Sequence, residues 1–97
     1  MLKEEVYRIL RSIPEGKVTT YGRIALMLGN KNYARTVGNI LNKNPDGDFN
    51  PCYKVVTRDG RLSEAYAFGG IDAQRKKLEN DGVEVVNNRV DLKKYLW

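Results

Sequence analysis

The chain has 97 residues, with 17 Lys and Arg against 12 Asp and Glu, one Cys and no His. That length suits one compact domain with a modest core, and a net charge of +5 favours a polyanionic partner. Without an imidazole, Ser-His and Cys-His catalysis, histidine metal sites and Cys/His zinc fingers are excluded. A single thiol forms no intrachain disulfide, which fits a reducing compartment. No stretch approaches the roughly 20 apolar residues of a membrane span, and Met1-Leu2-Lys3-Glu4-Glu5 is too polar to open a signal peptide. A cytoplasmic, chromosome-associated monomer with no membrane partner, no metal and no cofactor is the expectation.

Leu2, Val6, Ile9, Leu10 and Ile13 recur at helical spacing, so residues 2 to 12 read as an amphipathic helix stopped by Pro14-Glu15-Gly16. Val18-Thr19-Thr20 is a short extended lead-in, with Thr20 as N-cap of a helix over 21 to 28 that carries Ile24, Leu26, Met27 and Leu28 and closes at Gly29-Asn30. Asn32 is the expected cap of a third helix. Tyr33, Val37, Ile40 and Leu41 share its inner face, and Asn44-Pro45-Asp46-Gly47 ends it. Two short helices joined by a tight glycine turn make a helix-turn-helix candidate. Beyond it, Tyr53 to Thr57 is β-rich, Arg58-Asp59-Gly60 is a hairpin-type turn, and Leu62 to Phe68 returns as strand or loop. Asp72 to Asn80 reads as a helix ended by Gly82, and Asn87-Asn88 centres a small terminal hairpin. The sum is a single α+β, winged-helix-like domain over 1–97 with a helix-turn-helix and small β-hairpins.

Two places could carry function. The third helix leaves Ala34, Arg35 and Gly38 on its outer face, where small side chains permit close approach to a ligand and Arg35 could meet a phosphate or base. Cys52 stands between an irregular segment and a strand, in Pro51-Cys52-Tyr53-Lys54-Val55-Val56. A free thiol is only a few per cent thiolate at neutral pH, so a nucleophilic Cys52 needs a proton acceptor or a nearby cation.

Taken together, Thr20-Tyr21-Gly22-Arg23-Ile24-Ala25, Ala34-Arg35-Thr36-Val37-Gly38-Asn39, Asn44-Pro45, Pro51-Cys52-Tyr53-Lys54-Val55-Val56, Asp59-Gly60 and Gly69-Gly70 resemble the DNA-binding catalytic domain of the O6-alkylguanine-DNA alkyltransferases. The resemblance runs from about Val6 to the C-terminus, in register except at Leu62 to Phe68. The separate N-terminal domain usual in that family has no counterpart in these residues. The ending Arg89-Val90-Asp91-Leu92-Lys93-Lys94-Tyr95-Leu96-Trp97 looks like the short alkyltransferase-like branch, whose members bind alkylated guanine and signal to excision repair after losing the cysteine. This chain keeps Cys52.

The resemblance implies duplex DNA carrying O6-alkylguanine as partner. It also implies single-turnover transfer of the alkyl group to Cys52, with a non-catalytic lesion binder that recruits excision repair as the alternative. Arg35 would fill the gap left by an extruded nucleotide, Tyr21 would crowd the adjacent phosphate, and Thr20, Ala34 and Gly38 would meet DNA. Asn44 would brace the cysteine turn, while Tyr66, Phe68, Lys54 and Val55 would line the pocket. The family relays the thiol proton through His to Glu. Tyr53 and Asp81 occupy those positions here, so the relay, if kept, runs through a phenol and a shorter carboxylate.

Overall fold

The computed structural model describes residues 2–63 and 66–97. Helix α1, Leu2–Ser12, sets Glu4 and Glu5 in its first turn and Arg11 in its last, each complementing the helix dipole, and buries Val6, Tyr7 and Leu10. The Tyr7 hydroxyl donates to the Ile40 carbonyl at 3.2 Å, tying α1 to the third helix. Strand β1, Thr19–Thr20, follows, and the Thr20 side chain caps α2, Tyr21–Met27, by accepting from the Arg23 amide at 3.2 Å.

Only Ile24 and Ala25 of α2 are buried; Leu26 and Met27, expected among its apolar set, face outward. The turn after α2 uses Gly29 at φ 96°. Asn30, not Asn32, then caps a single 3-10 turn, Lys31–Tyr33, by accepting from the Asn32 amide at 2.9 Å. This turn leads straight into α3, Ala34–Asn42, which buries Val37 and Leu41 and leaves Tyr33 exposed just before it. Helices α2 and α3 pack on one another and complete the helix-turn-helix.

The β-rich run is shorter than its propensity predicts. Cys52–Lys54 forms a 3-10 turn, and only Val55–Val56 is extended, as β2. It pairs parallel to β1, Thr19 opposite Val55 and Thr20 opposite Val56, a partner far off in sequence that local pattern does not reveal. Alternate residues of a strand face opposite sides. Val55 accordingly joins the core formed with α1, α2 and α3, and Val56 joins a second core with Val18, Leu62, Leu78, Val83, Val90 and Tyr95.

The expected hairpins are present as tight turns joined by isolated bridges rather than as ladders. Thr57 and Arg61 close the turn around Gly60, and Arg61 and Val86 each bridge Arg89. A Cβ on Gly60 would collide with the Val90 carbonyl, and its φ of 85° adds the same demand for glycine. Glu64 and Ala65, within the Leu62 to Phe68 segment expected as strand or loop, lie outside the described residues. Helix α4 spans Gly70–Asn80, starting two residues before the expected Asp72, and Leu92–Tyr95 forms a last helix, α5, which the sequence pattern did not signal. The C-terminus returns to the sheet, with the Trp97 amide donating to the Val18 carbonyl at 2.8 Å.

Candidate functional site

Helix α3 and the Cys52 turn face each other across a cleft of about 370 Å3. Tyr21 contributes from α2, Ala34 and Gly38 from α3, Cys52 and Val55 from the turn and strand, Ser63 and Tyr66 from the opposite wall, and Gln74 from α4. Nothing stands within 4 Å of a Cβ placed on Gly38, so that side of α3 is open to close approach. Arg35, one residue beyond Ala34 in the first turn of α3, is exposed.

Cys52 is 5% exposed. Burial pushes its thiol pKa up, and a hydrogen bond from Asn44, the residue's own backbone amide and the Lys77 charge offset this only in part. Its turn is held by a shared acceptor: the Asn50 carbonyl takes the Cys52 amide at 2.7 Å and the Asn44 Nδ2 at 2.7 Å. Asn44 is buried, and its Oδ1 also accepts from Asn50 Nδ2 and from the Asp46 amide. It therefore stands beside the thiol with its own polar atoms satisfied.

Tyr66 is 8% exposed, and its hydroxyl is buried in the cleft wall without a hydrogen-bond partner among the described residues. Its pKa is pushed up to about 12 by burial first and then by Cys52 and Asp48. It is therefore a phenol with a proton to donate. The Tyr21 pKa is also raised, chiefly by burial, against a lowering hydrogen bond with Ser63.

Five expected site residues stand elsewhere. Lys54 is 4% exposed and does not line the cleft; its Nζ meets Asp81 Oδ2 at 2.9 Å and the Pro14 carbonyl at 2.9 Å. Asp81 Oδ2 also accepts from the Gly16 amide at 3.1 Å, so the carboxylate is engaged with the α1–β1 turn. Tyr53 lies with Asp81 in a separate depression, outside the cleft lining, with Lys54 and Lys77 each 5.9 Å from its ring centroid. Tyr53 and Asp81 are thus brought together, and no hydrogen bond joins Cys52, Tyr53 and Asp81 among the described residues. Burial first, and then the Asp81 carboxylate, push the Tyr53 phenol up to about 12.

Phe68 also lies outside the cleft lining, packed edge-on to Tyr66 with ring centroids 5.8 Å apart and against Gly47. Thr20 is buried as the α2 cap instead of presenting its side chain to a ligand. Sequence reasoning passed over Gln74 and Lys77. For Gln74 a signal existed: it falls between Ile71 and Leu78 at helical spacing, a polar residue on the inner face of α4.

The DNA-binding-domain model of 6-O-methylguanine DNA methyltransferase matches residues 1–83, and the chain belongs to that family. It is 48% identical over 90 residues to a bifunctional methyltransferase/endonuclease of Picrophilus torridus, a match covering 93% of this chain and only 30% of that protein. It is 38% identical over 94 residues to a DNA base-flipping protein of Vibrio parahaemolyticus, covering 96% of this chain and 92% of the relative. Its fold is similar to that of S. pombe Atl1, solved in complex with damaged DNA containing O6-carboxymethylguanine. The TM-score is 0.89 at 32% identity, across 99% of this chain and 94% of the other. The winged-helix-like class expected from the sequence is the observed one.

Proposed function

We propose that the chain acts in repair of alkylated DNA: it binds duplex DNA, accepts an extruded O6-alkylguanine in the α3 cleft and takes the alkyl group onto Cys52. One observation carries this: the only thiol lines the same cleft as Ala34 and Gly38, the small residues of the second helix of the helix-turn-helix. A substituent on guanine O6 is hidden inside the stack, so the nucleotide must leave it at a cost of a few kcal/mol. The exposed Arg35, filling the vacated space, and a net charge of +5 on the chain would offset that cost. In the transfer the Cys52 sulfur forms a bond to the alkyl carbon as the carbon–O6 bond breaks. The electron pair of that bond goes to O6, the thiol proton ends on the guanine, and the thioether product inactivates the protein. Burial disfavours the thiolate, so the step should quicken as pH rises.

A second reading, lesion binding without transfer that hands the site to excision proteins, is favoured by the engagement of Asp81 with Lys54, which leaves the thiol without a carboxylate relay. The two separate in one experiment. The protein is incubated with a duplex containing O6-methylguanine and its intact mass is measured. A gain of one methylene on the peptide containing Cys52, absent in Cys52→Ala, is expected. Selective binding without that gain would replace transfer by sensing, and equal binding of lesion and normal duplexes would overturn both.

A further inference from the structure

We infer that Arg11, on α1 and outside the cleft lining, is a positioning residue for Cys52: through Asn50 and Asn44 its guanidinium starts a directed chain of hydrogen bonds that ends at the thiol. Arg11 Nη1 donates to Asn50 Oδ1 at 2.6 Å. Asn50 Nδ2 donates to Asn44 Oδ1 at 3.2 Å. Asn44 Nδ2 donates to the Asn50 carbonyl at 2.7 Å, the same carbonyl that takes the Cys52 amide. The Asn44 side chain also hydrogen-bonds the thiol in the sense that favours thiolate, which requires its NH2, because its oxygen only accepts. Every link therefore points from the cation toward the sulfur.

The turn does not need Arg11 for its shape. The Asn50 amide donates to the Asp46 carbonyl at 2.9 Å, and the Asp46 amide donates to Asn44 Oδ1 at 3.1 Å, so backbone groups already hold the loop and orient Asn44. What Arg11 adds is a positive charge at the outer end of the chain. A hydrogen bond from a cation is stronger than one between neutral groups, and an amide that accepts more strongly also donates more strongly. Asn50 is 5% exposed, so this polarisation passes through a buried amide where water competes little. Arg11 itself is exposed, with its guanidinium carbon 4.7 Å from the centroid of the Phe49 ring. The consequence for alkyl transfer is a larger thiolate fraction on Cys52, and that consequence rests on the reading of Cys52 as the alkyl acceptor.

The test follows the rate of Cys52 modification by iodoacetamide against pH in the parent chain, Arg11→Met, Arg11→Lys and Arg8→Met, all checked for folding by circular dichroism. The other titratable groups coupled to the thiol are Tyr7 from α1, Tyr21 from α2, Tyr66 from the opposite wall and Lys77 from α4. Helix α3 lines the cleft with the uncharged Ala34, Gly38, Asn39, Leu41 and Asn42. The three phenols are all pushed up from their ordinary range, and Lys77 is common to the four chains, so a displaced profile reports the substitution. Arg11→Met should move the profile toward alkaline pH and slow modification about threefold on its rising limb, within the range for one net hydrogen bond. Arg11→Lys, which keeps a cation that donates, should restore the parent profile. Arg8→Met removes an equal charge from the same helix and should leave it in place. The displacement should persist in about 1 M salt, where the Debye length of about 3 Å screens through-space effects and spares a direct hydrogen bond. An Arg11→Met profile that coincides with the parent's overturns the chain and leaves Arg11 as a surface cation. So does a displacement that Arg8→Met matches, that Arg11→Lys fails to restore, or that salt abolishes. If the parent takes no methyl group from an O6-methylguanine duplex, the transfer reading falls, while these profiles still decide the role of Arg11.

Discussion

Cys52 and Lys54 leave the same 3-10 turn for two opposite kinds of surroundings. Around Lys54 the polar groups are matched: its ammonium meets a carboxylate and a carbonyl, and that carboxylate takes a backbone amide as well. Around Cys52 they are not. The thiol is buried with Asn44 as its side-chain hydrogen-bond partner, and the Tyr66 hydroxyl beside it has no partner among the described residues. A buried polar group without a partner costs about 1–3 kcal/mol. The fold thus completes the bonds on one side of the turn and leaves, on the other, a buried donor with no partner among the described residues. The same contrast explains the fate of Asp81, whose carboxylate belongs to the matched side.

The largest effect should come from breaking that matched side. Replacing Lys54 by Met leaves Asp81, 11% exposed, without its cation, and removal of one partner from a buried pair costs about 3–5 kcal/mol. Urea unfolding should register that loss, and adding Asp81→Leu should recover most of it, because two apolar groups carry no stranded charge. A Lys54→Met variant within about 1 kcal/mol of the parent would put the pair in the class of surface bridges and dissolve the contrast. On the other side, Tyr66→Phe keeps the ring contact with Phe68 and removes only the idle hydroxyl. Stability of the free protein should hold or improve by up to about 1 kcal/mol. Affinity for an O6-methylguanine duplex should fall by about tenfold while affinity for an unmodified duplex stays the same, as read by fluorescence anisotropy. A stability loss on Tyr66→Phe would mean the hydroxyl has a structural task.

These two sides were unequally legible in the sequence. Local signals worked wherever the chain is governed locally: Pro14 after α1, Thr20 as a cap, Gly29 at a left-handed turn, and Asn87-Asn88, both at positive φ, closing the bridge between Val86 and Arg89. They failed where a distant partner decides. The β propensity of Tyr53 to Thr57 yields to a 3-10 turn because Asn50 captures the Cys52 amide, and the two residues left over pair with β1 from the other end of the domain. Lys54, expected in the pocket lining, is turned away from it because the fold brings Asp81 and Pro14 to its ammonium. Of the residues the family motif points to, Cys52 and Tyr21 line the cleft and Asn44 bonds the turn beside it. The motif carried Lys54 and Asp81 toward the thiol because a motif records order along the chain and not which of two sides a turn presents.

The smallest effect concerns ionisation, and its sign follows from the burial of the thiol. Desolvation raises the Cys52 pKa above the ordinary thiol range, and the Lys77 charge works in the lowering direction without cancelling it. At neutral pH the folded chain therefore holds less thiolate than a free cysteine. The rate of iodoacetamide modification should climb about tenfold per pH unit through neutrality and keep climbing past the pH of about 8.5 where an exposed thiol begins to level off. Lys77→Met removes a favourable cation, so it should move this profile further toward alkaline pH and slow modification by a few-fold at any pH on the rising limb. Its Asp48 partner is 95% exposed at 3.3 Å, so the change should cost little stability. A profile that levels off below the ordinary thiol range would instead mean that the thiolate is already stabilised. The unmatched side of the turn would then contain a preformed nucleophile, and burial would no longer limit its ionisation.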